Sequence, residues 1–339
     1  MLDRMLPNYN GQIMVTYRCS AACRHCLVMA APRQDDALVS VEAAVQYGLD
    51  FASLGRAVMI AGGEALLYFE HVLKMAQALA AVGVSVAFVE SNGSWCTSDA
   101  LTRRRLSLLQ DAGVQGMYFS VDCYHQEFVP AERVYRGVSI SWELFGRENV
   151  HPEALSVEHA QEAERLATDL EHRRRVVGSG VHFIGRAALE LAPQVAPVPL
   201  EELLSQDCGG DWDIDNLHEL QVDPYGFVRP DWCPGINLGN TRSHRILDLC
   251  RTRHVQETPL LREVAARGPA ALLPLAERFG ITPQPAYASK CHLCFDLRRQ
   301  LVHHMPEEFG PRQVYEVRGN NGPDSDFAPT GGAGLASPG

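Results

Sequence analysis

Ile13-Met14-Val15-Thr16-Tyr17-Arg18-Cys19-Ser20-Ala21-Ala22-Cys23-Arg24-His25-Cys26 runs from an apolar, strand-like segment straight into three cysteines spaced C-x3-C-x2-C. Thiolates are the usual ligands of iron–sulfur clusters, and a four-iron cubane takes one ligand per iron. Three ligands therefore leave one iron open to a small molecule. The alternative is zinc, but a closed zinc site asks for four ligands, usually in two pairs. The trio sits in the loop after a strand and ahead of a helix, so the strands and helices downstream decide how it is presented.

Those downstream segments alternate. Strands are predicted near Gln12–Thr16, Ala57–Ile60, Ser85–Glu90, Gly116–Val121, Ala154–Val157 and Gly180–Ile184. Amphipathic helical stretches fall between them near Val41–Leu54, Phe69–Ala81, Ser98–Asp111, Ala131–Phe145 and Val157–Val176. Such alternation implies parallel strands joined by crossover helices, and about six units predict an open, partial (β/α)6 barrel. Chemistry in such barrels sits in the loops after the strands' C-terminal ends, where Cys19, Cys23 and Cys26 fall. A Pro-rich linker, Ala192 to Pro199, ends the pattern. The expected division is a barrel over residues 1–192, a smaller domain over 200–305 and a Gly/Pro/Ser-rich disordered tail over 319–339. Within the smaller domain, Leu220 to Pro230 reads as a β-hairpin turning at Pro224-Tyr225-Gly226, and Thr258–Phe279 as a helical pair or insertion.

The 339 residues, 46% hydrophobic, suffice for a core. No run approaches the ~20 apolar residues of a membrane span, and the first residues lack the apolar stretch of a signal peptide. A cytoplasmic protein with no membrane partner is expected. The net charge of −11 argues against a nucleic-acid partner. Between Glu201 and Asp231 nine acids face one base, Arg229; they are either a solvated face or a site for a cation.

Three further stretches share a pattern with the cysteine trio. Ala61-Gly62-Gly63-Glu64 follows the second strand, Glu90-Ser91-Asn92-Gly93 ends the third, and Ser120-Val121-Asp122-Cys123-Tyr124-His125 ends the fourth. With C-x3-C-x2-C, these resemble the signature of the radical S-adenosylmethionine (SAM) enzymes. That resemblance implies a 4Fe-4S cluster on Cys19, Cys23 and Cys26 whose free iron chelates SAM. It implies SAM contacts from Gly62, Gly63, Glu64, Ser91, Asn92, Ser120 and Asp122, with Glu64 accepting from the ammonium group. Gly185 would leave room for adenine, and Arg186 would pair with the SAM carboxylate. His125 would bind substrate or exchange a proton. Asn92-Gly93 is equally a turn, and His125 equally a structural histidine.

Cys208, Cys233, Cys291 and Cys294 supply four more thiolates. They resemble the twitch or SPASM extension, which implies a second 4Fe-4S cluster that carries electrons; zinc suits the same donor set. Cys250 is left over, either a small hydrophobe or a hydrogen-atom donor. The resemblance extends loosely to radical SAM epimerases of secondary metabolism, in which such a donor inverts a carbon of a cationic small molecule such as an aminoglycoside. An auxiliary cluster acting as electron acceptor would instead give a dehydrogenase or a ribosomal-peptide maturase. Either enzyme needs a flavodoxin or ferredoxin as electron donor. A zinc-binding scaffold is the non-enzymatic alternative.

Overall fold

The computed structural model describes residues 10–153, 181–208, 219–230, 233–250 and 258–317. Its front half is a run of β/α units. Strand β1 (Asn10–Met14) leads to helix α1 (Val41–Ser53), β2 (Ala57–Ala61) to α2 (Phe69–Ala81), and β3 (Val86–Ser91) to α3 (Asp99–Asp111). Strand β4 (Met117–Ser120) leads to the short α4 (Cys123–Gln126) and then α5 (Ala131–Phe145), and β5 (Val150–Glu153) follows. The helix starts are written in the sequence. Ser40 and Ser98 cap α1 and α3 by accepting from Ala43 N and Leu101 N, and Asp122 caps α4 through Tyr124 N and His125 N.

These five strands lie in the order β5-β4-β3-β2-β1, each parallel to its neighbour. Alternation along each strand separates two environments. Ile13, Ile60, Val89 and Phe119 are fully buried in the main apolar core. Gln12, Met59, Glu90 and Tyr118 instead line a cavity on the other face. Gly11 is small because the Phe51 ring of α1 lies there; a Cβ would come within 2.2 Å of it.

The sheet departs from the expected order at both edges. The fifth strand is Val150–Glu153, four residues before the predicted Ala154–Val157. Its Pro152 cannot donate to a ladder and disguises the segment, yet it is tolerated because β5 is at the edge of the sheet among the described residues. The predicted strand at 154–157 and helix at 157–176 lie outside the described residues. The predicted sixth strand, Gly180–Ile184, is not a strand over its described residues 181–184, which bend into α6 (Arg186–Glu190).

The chain goes on to β6 (Val198–Pro199) and α7 (Leu200–Leu203). The sixth parallel strand is β7 (Glu219–Val222), which pairs with β1 in the register Glu219↔Asn10 to Val222↔Ile13. It turns through Asp223–Gly226 into the antiparallel β8 (Phe227–Pro230), itself paired with β9 (Gly239–Asn240). The predicted hairpin is therefore present and belongs to the barrel sheet. Beyond it lie α8 (Ile246–Leu249), α9 (Pro259–Arg267), α10 (Leu273–Arg278), β10 (Ala286–Tyr287), α11 (Lys290–Leu301) and α12 (Pro306–Phe309), with β10 pairing β6. Helices α9 and α10 are the predicted pair over 258–279. The tail expected to be disordered, 319–339, lies outside the described residues. No helix among the described residues is long and apolar enough to cross a membrane.

Candidate active site

The loop between β1 and α1 is fixed by backbone packing. Gly63 N donates to Thr16 O at 2.7 Å and Glu64 N to Arg18 O at 3.0 Å. A Cβ on Gly63 would meet Arg18 O at 2.3 Å, so this close approach requires glycine. Held this way, Cys19, Cys23 and Cys26 form a small cluster with Ala21 and Ala30, apart from the main core. All three are free thiols. Ala21 N and Asn92 Nδ2 approach Cys19 Sγ at 3.4 and 3.5 Å, and Ala30 N approaches Cys26 Sγ at 3.3 Å.

Burial, then Glu64, pushes the Cys19 thiol up to about 12. Cys23 is raised further by burial and by Cys26 and Cys19. Thiols this buried and this close ionise only around a multivalent cation, and N–H groups already aim at two of the sulfurs. The donor set fits a cluster.

A second grip comes from the segment that sequence alone reads as a sixth strand. Arg186, 1% exposed, donates from Nη1 to Cys23 O (2.7 Å) and from Nη2 to Ala30 O (2.8 Å), and its backbone N bonds Cys26 O (2.9 Å). It is absent from the cavity wall. The SAM carboxylate is the partner expected for Arg186; here its two Nη groups bond the carbonyls of the cysteine loop. Gly185 has φ 56° and its missing Cβ would lie 2.3 Å from Cys26 O. Gly185→Ala is expected to cost roughly 1–3 kcal/mol in denaturant unfolding and to lower iron incorporation, because only backbone can yield there.

Glu64, expected to accept from the SAM ammonium group, is held by neighbouring donors. It is 1% exposed and accepts from Leu66 N (3.0 Å), Asn92 N (2.7 Å) and Ser91 Oγ (3.1 Å). Burial raises its carboxyl to about 7 against those donors. Glu64 therefore ties the loop after β2 to the loop after β3, and it does not line the cavity, whereas Gly62, Gly63, Ser91 and Asn92 do. Asn92 also donates to Ser20 Oγ at 3.1 Å.

The cavity, about 520 Å³, opens where these loops meet and includes Ser120, Asp122 and His125. Asp122 Oδ2 receives His125 Nδ1 at 2.5 Å and lies 3.7 Å from His25 Nε2. Burial alone would raise the Asp122 carboxyl; the hydrogen bond and charge of His125 outweigh it and hold the group at about 2. His25, stacked on Tyr124 with centroids 4.9 Å apart, is pushed down to about 4 by burial. Ligand atoms of Cys23, His25 and His125 lie within 4.8 Å of one another. A zinc ion there would use one cysteine of the trio and strand the other two, so the grouping favours the cluster.

Cys250 is not brought to this cavity. It follows α8, with Arg56 and Asp50 as neighbouring charges, and burial raises its thiol to about 12. Arg56 precedes β2 and donates to Asn10 O at the start of β1. Cys250 thus packs at the opposite end of those strands from Cys19 and is not among the residues that line the cavity.

The four remaining candidate ligands lie on three segments tied side by side. Lys290 Nζ donates to Asp207 O at 2.6 Å, joining the turn before Cys208 to the start of α11, which carries Cys291 and Cys294. Arg298, 1% exposed, donates to Cys294 O at 3.2 Å and to Pro234 O next to Cys233. The acidic run disperses: Glu201, Glu202 and Asp207 are exposed, Asp223 is buried against Arg229, and Glu219 alone of the described acids faces the cavity. Asp211, Asp213, Asp215 and Asp231 lie outside the described residues.

One network has no counterpart in the sequence reading. Arg229 and Asp223, both 0% exposed, meet Tyr17: Tyr17 Oη donates to Asp223 Oδ2 (2.7 Å) and receives Arg229 Nη1 (2.8 Å). The signal for it was an arginine alternating with valine in an apolar strand, where a charge must find a partner.

A family profile for the radical SAM superfamily matches residues 13–144. No curated protein matches the chain. Among solved structures, BtrN in complex with AdoMet and 2-DOIA aligns at 15% identity over 79% of this chain and 89% of its own, with a TM-score of 0.43. Streptococcus suis SuiB aligns at 13% identity over 76% of this chain and 68% of its own (TM-score 0.40). Its S-adenosylmethionine-bound form gives 14% over the same shares (TM-score 0.41). The profile covers the cysteine trio, the Gly62-Gly63 loop, the Ser91-Asn92 loop and the Asp122–His125 pair: residues 13–144 are a radical SAM domain.

Proposed function

We propose that this enzyme removes a hydrogen atom from a carbon of a small, hydroxylated, amine-bearing metabolite, such as an aminoglycoside, and oxidises that carbon. The observation that carries the reading is three free cysteines, Cys19 and Cys23 buried and Cys26 partly buried, on the wall of one cavity with Gly62, Gly63, Ser91 and Asn92. Cys19, Cys23 and Cys26 would hold a 4Fe-4S cluster, with SAM against the two glycines, Ser91, Asn92 and Ser120. Cys208, Cys233, Cys291 and Cys294 would hold a second cluster. Bound there, SAM and the first cluster supply a carbon radical that abstracts hydrogen, and the second supplies a one-electron acceptor.

The chain's own part is orientation and proton transfer. Asp122 holds His125 Nδ1 and leaves Nε2 to take a proton from a substrate hydroxyl, the carboxylate stabilising the imidazolium that forms. Oxidation is favoured over epimerisation because the cavity is lined by no thiol besides the three ligands among the described residues.

Purification without oxygen and reconstitution should give iron and sulfide, and added reductant with SAM should give 5′-deoxyadenosine. Zinc in place of iron with no 5′-deoxyadenosine would overturn the enzyme. In deuterated water Cys250→Ala should turn over with the same product as wild type. Loss of solvent deuterium from the product in that variant alone would restore the epimerase reading.

A further inference from the structure

Arg298 is a buried charge without a carboxylate. Its side chain is 1% exposed, and no aspartate or glutamate lies within ion-pair distance of it among the described residues. Asp296, two positions earlier on α11, lies 3.6 Å from Arg299 and accepts from Tyr287 Oη at 2.9 Å. A guanidinium stays charged inside a protein, and burying one is costly unless an anion faces it. Some other group must supply the negative charge.

The surroundings of Arg298 name the source. Side chains of a helix lean toward its N-terminus and cover the preceding turn. Cys291, Cys294 and Arg298, spaced i, i+3 and i+7, therefore share one face of α11, with Arg298 folded back over Cys294. Its Nε donates to Cys294 O at 3.2 Å, and its Nη1 to the carbonyl of Pro234, the residue after Cys233. The guanidinium thus spans the segments that carry those two cysteines. Burial works against its charge, and Cys294, Tyr315 and Cys233 outweigh that burial. Tyr315 donates its hydroxyl to Phe309 O at 2.9 Å, so it is a neutral phenol. Of these groups, the thiolates of Cys294 and Cys233 are left to balance Arg298.

Resting on the second cluster proposed above, we infer that Arg298 is the fixed counter-charge of the four-cysteine site and raises the reduction potential of a cluster held there. Four thiolates outweigh the charge of the iron–sulfur core or zinc ion they bind, so the loaded site is anionic, and an electron added to a cluster makes it more so. A permanent positive charge beside it, where water is scarce, stabilises the reduced form more than the oxidised one. Arg298 thereby makes the site a better electron acceptor, the direction that substrate oxidation requires.

The test reads the midpoint potential by EPR-monitored titration of the reconstituted full-length protein, in a Cys19→Ala/Cys23→Ala/Cys26→Ala background that leaves one set of ligands. Arg298→Gln keeps an amide donor for the carbonyls and removes the charge. It should shift the oxidised-to-reduced ratio at fixed ambient potential at least tenfold toward oxidised, a midpoint about 59 mV lower for one electron. Arg298→Lys restores the charge and should return the midpoint most of the way to wild type. An arginine that served only the fold would leave the midpoint alike in all three proteins. That result overturns the inference, as does a lysine variant displaced as far as the glutamine variant. Should Arg298→Gln hold no cluster, zinc affinity by chelator competition decides: it should fall roughly tenfold or more in Arg298→Gln and be kept in Arg298→Lys, and equal affinities overturn the inference. Zinc bound in preference to iron, with an affinity that depends on Arg298, would sink the electron-acceptor reading alone. A cluster whose midpoint ignores Arg298 would sink this inference alone.

Discussion

Replacing Cys19, Cys23 or Cys26 by alanine is expected to eliminate 5′-deoxyadenosine formation and the iron bound near the cavity. Two thiols cannot supply three ligands, and burial raises the thiols of Cys19 and Cys23, which disfavours their thiolate forms without a metal. The loss should exceed the roughly 10–100-fold that removing a ligand's hydrogen-bond partner costs. Asn92→Ala provides that comparison, because it deletes the Nδ2 that reaches Cys19 Sγ and Ser20 Oγ but keeps every sulfur. Iron analysis is best done in a background lacking Cys208, Cys233, Cys291 and Cys294, so that the remaining metal belongs to one site. Retention of wild-type iron by any single alanine variant in that background would contradict the assignment.

Arg229→Met should be the most damaging substitution for stability, at about 3–5 kcal/mol in denaturant unfolding. Methionine fills much of the space, but Asp223 is left with its charge buried, 0% exposed, and its hydrogen bond from Tyr17 does not neutralise it. Burial already raises the Asp223 carboxyl above its ordinary value. Protonation in the folded state is therefore easier than in the unfolded state. The deficit of Arg229→Met should consequently be largest at neutral pH and shrink as pH falls and the carboxyl is neutralised. The double variant Arg229→Met/Asp223→Asn should recover much of the loss, since it removes both charges. If the single and double variants unfold alike at neutral pH, the damage comes from shape and not from the stranded carboxylate. The single variant should also weaken iron binding, because Tyr17 stands two residues before Cys19 and loses its donor from Arg229.

What could be read from the sequence was local. The C-x3-C-x2-C spacing, the serine caps of α1 and α3, and the alternation from β1 to α5 each sit within a few residues, and helices 69–81 and 131–145 fall where their apolar periodicity puts them. What was missed depends on partners far along the chain. Val181-His182-Phe183-Ile184 alternates like a strand, but Gly185 and Arg186 are needed to clasp the carbonyls around Cys23 and Cys26, and the chain bends to deliver them. Glu64 and Arg186 were read as ligand contacts because a charge beside a glycine suggests a binding loop. Both also bond backbone groups that no spacing rule reveals, Glu64 with Leu66 N and Asn92 N and Arg186 with Cys23 O and Ala30 O. Cys250 was left open between a small hydrophobe and a hydrogen donor implied by resemblance, and neither reading carries information about which end of a strand a helix packs against.

The placement of β7 has one more consequence. Strand β1 is sandwiched between Ala57–Ala61 on one flank and Glu219–Val222 on the other, so its second row of amides and carbonyls stays bare until the ribosome has delivered the hairpin. A nascent chain ending at the Pro-rich segment carries an uncovered sheet margin, the kind of surface on which other chains add strands and aggregate, and sealing it requires closing a loop of most of the polypeptide, a slow, non-local event. Front and rear thus mature together: the segment that carries the second set of sulfurs also sews shut the seam beside the first.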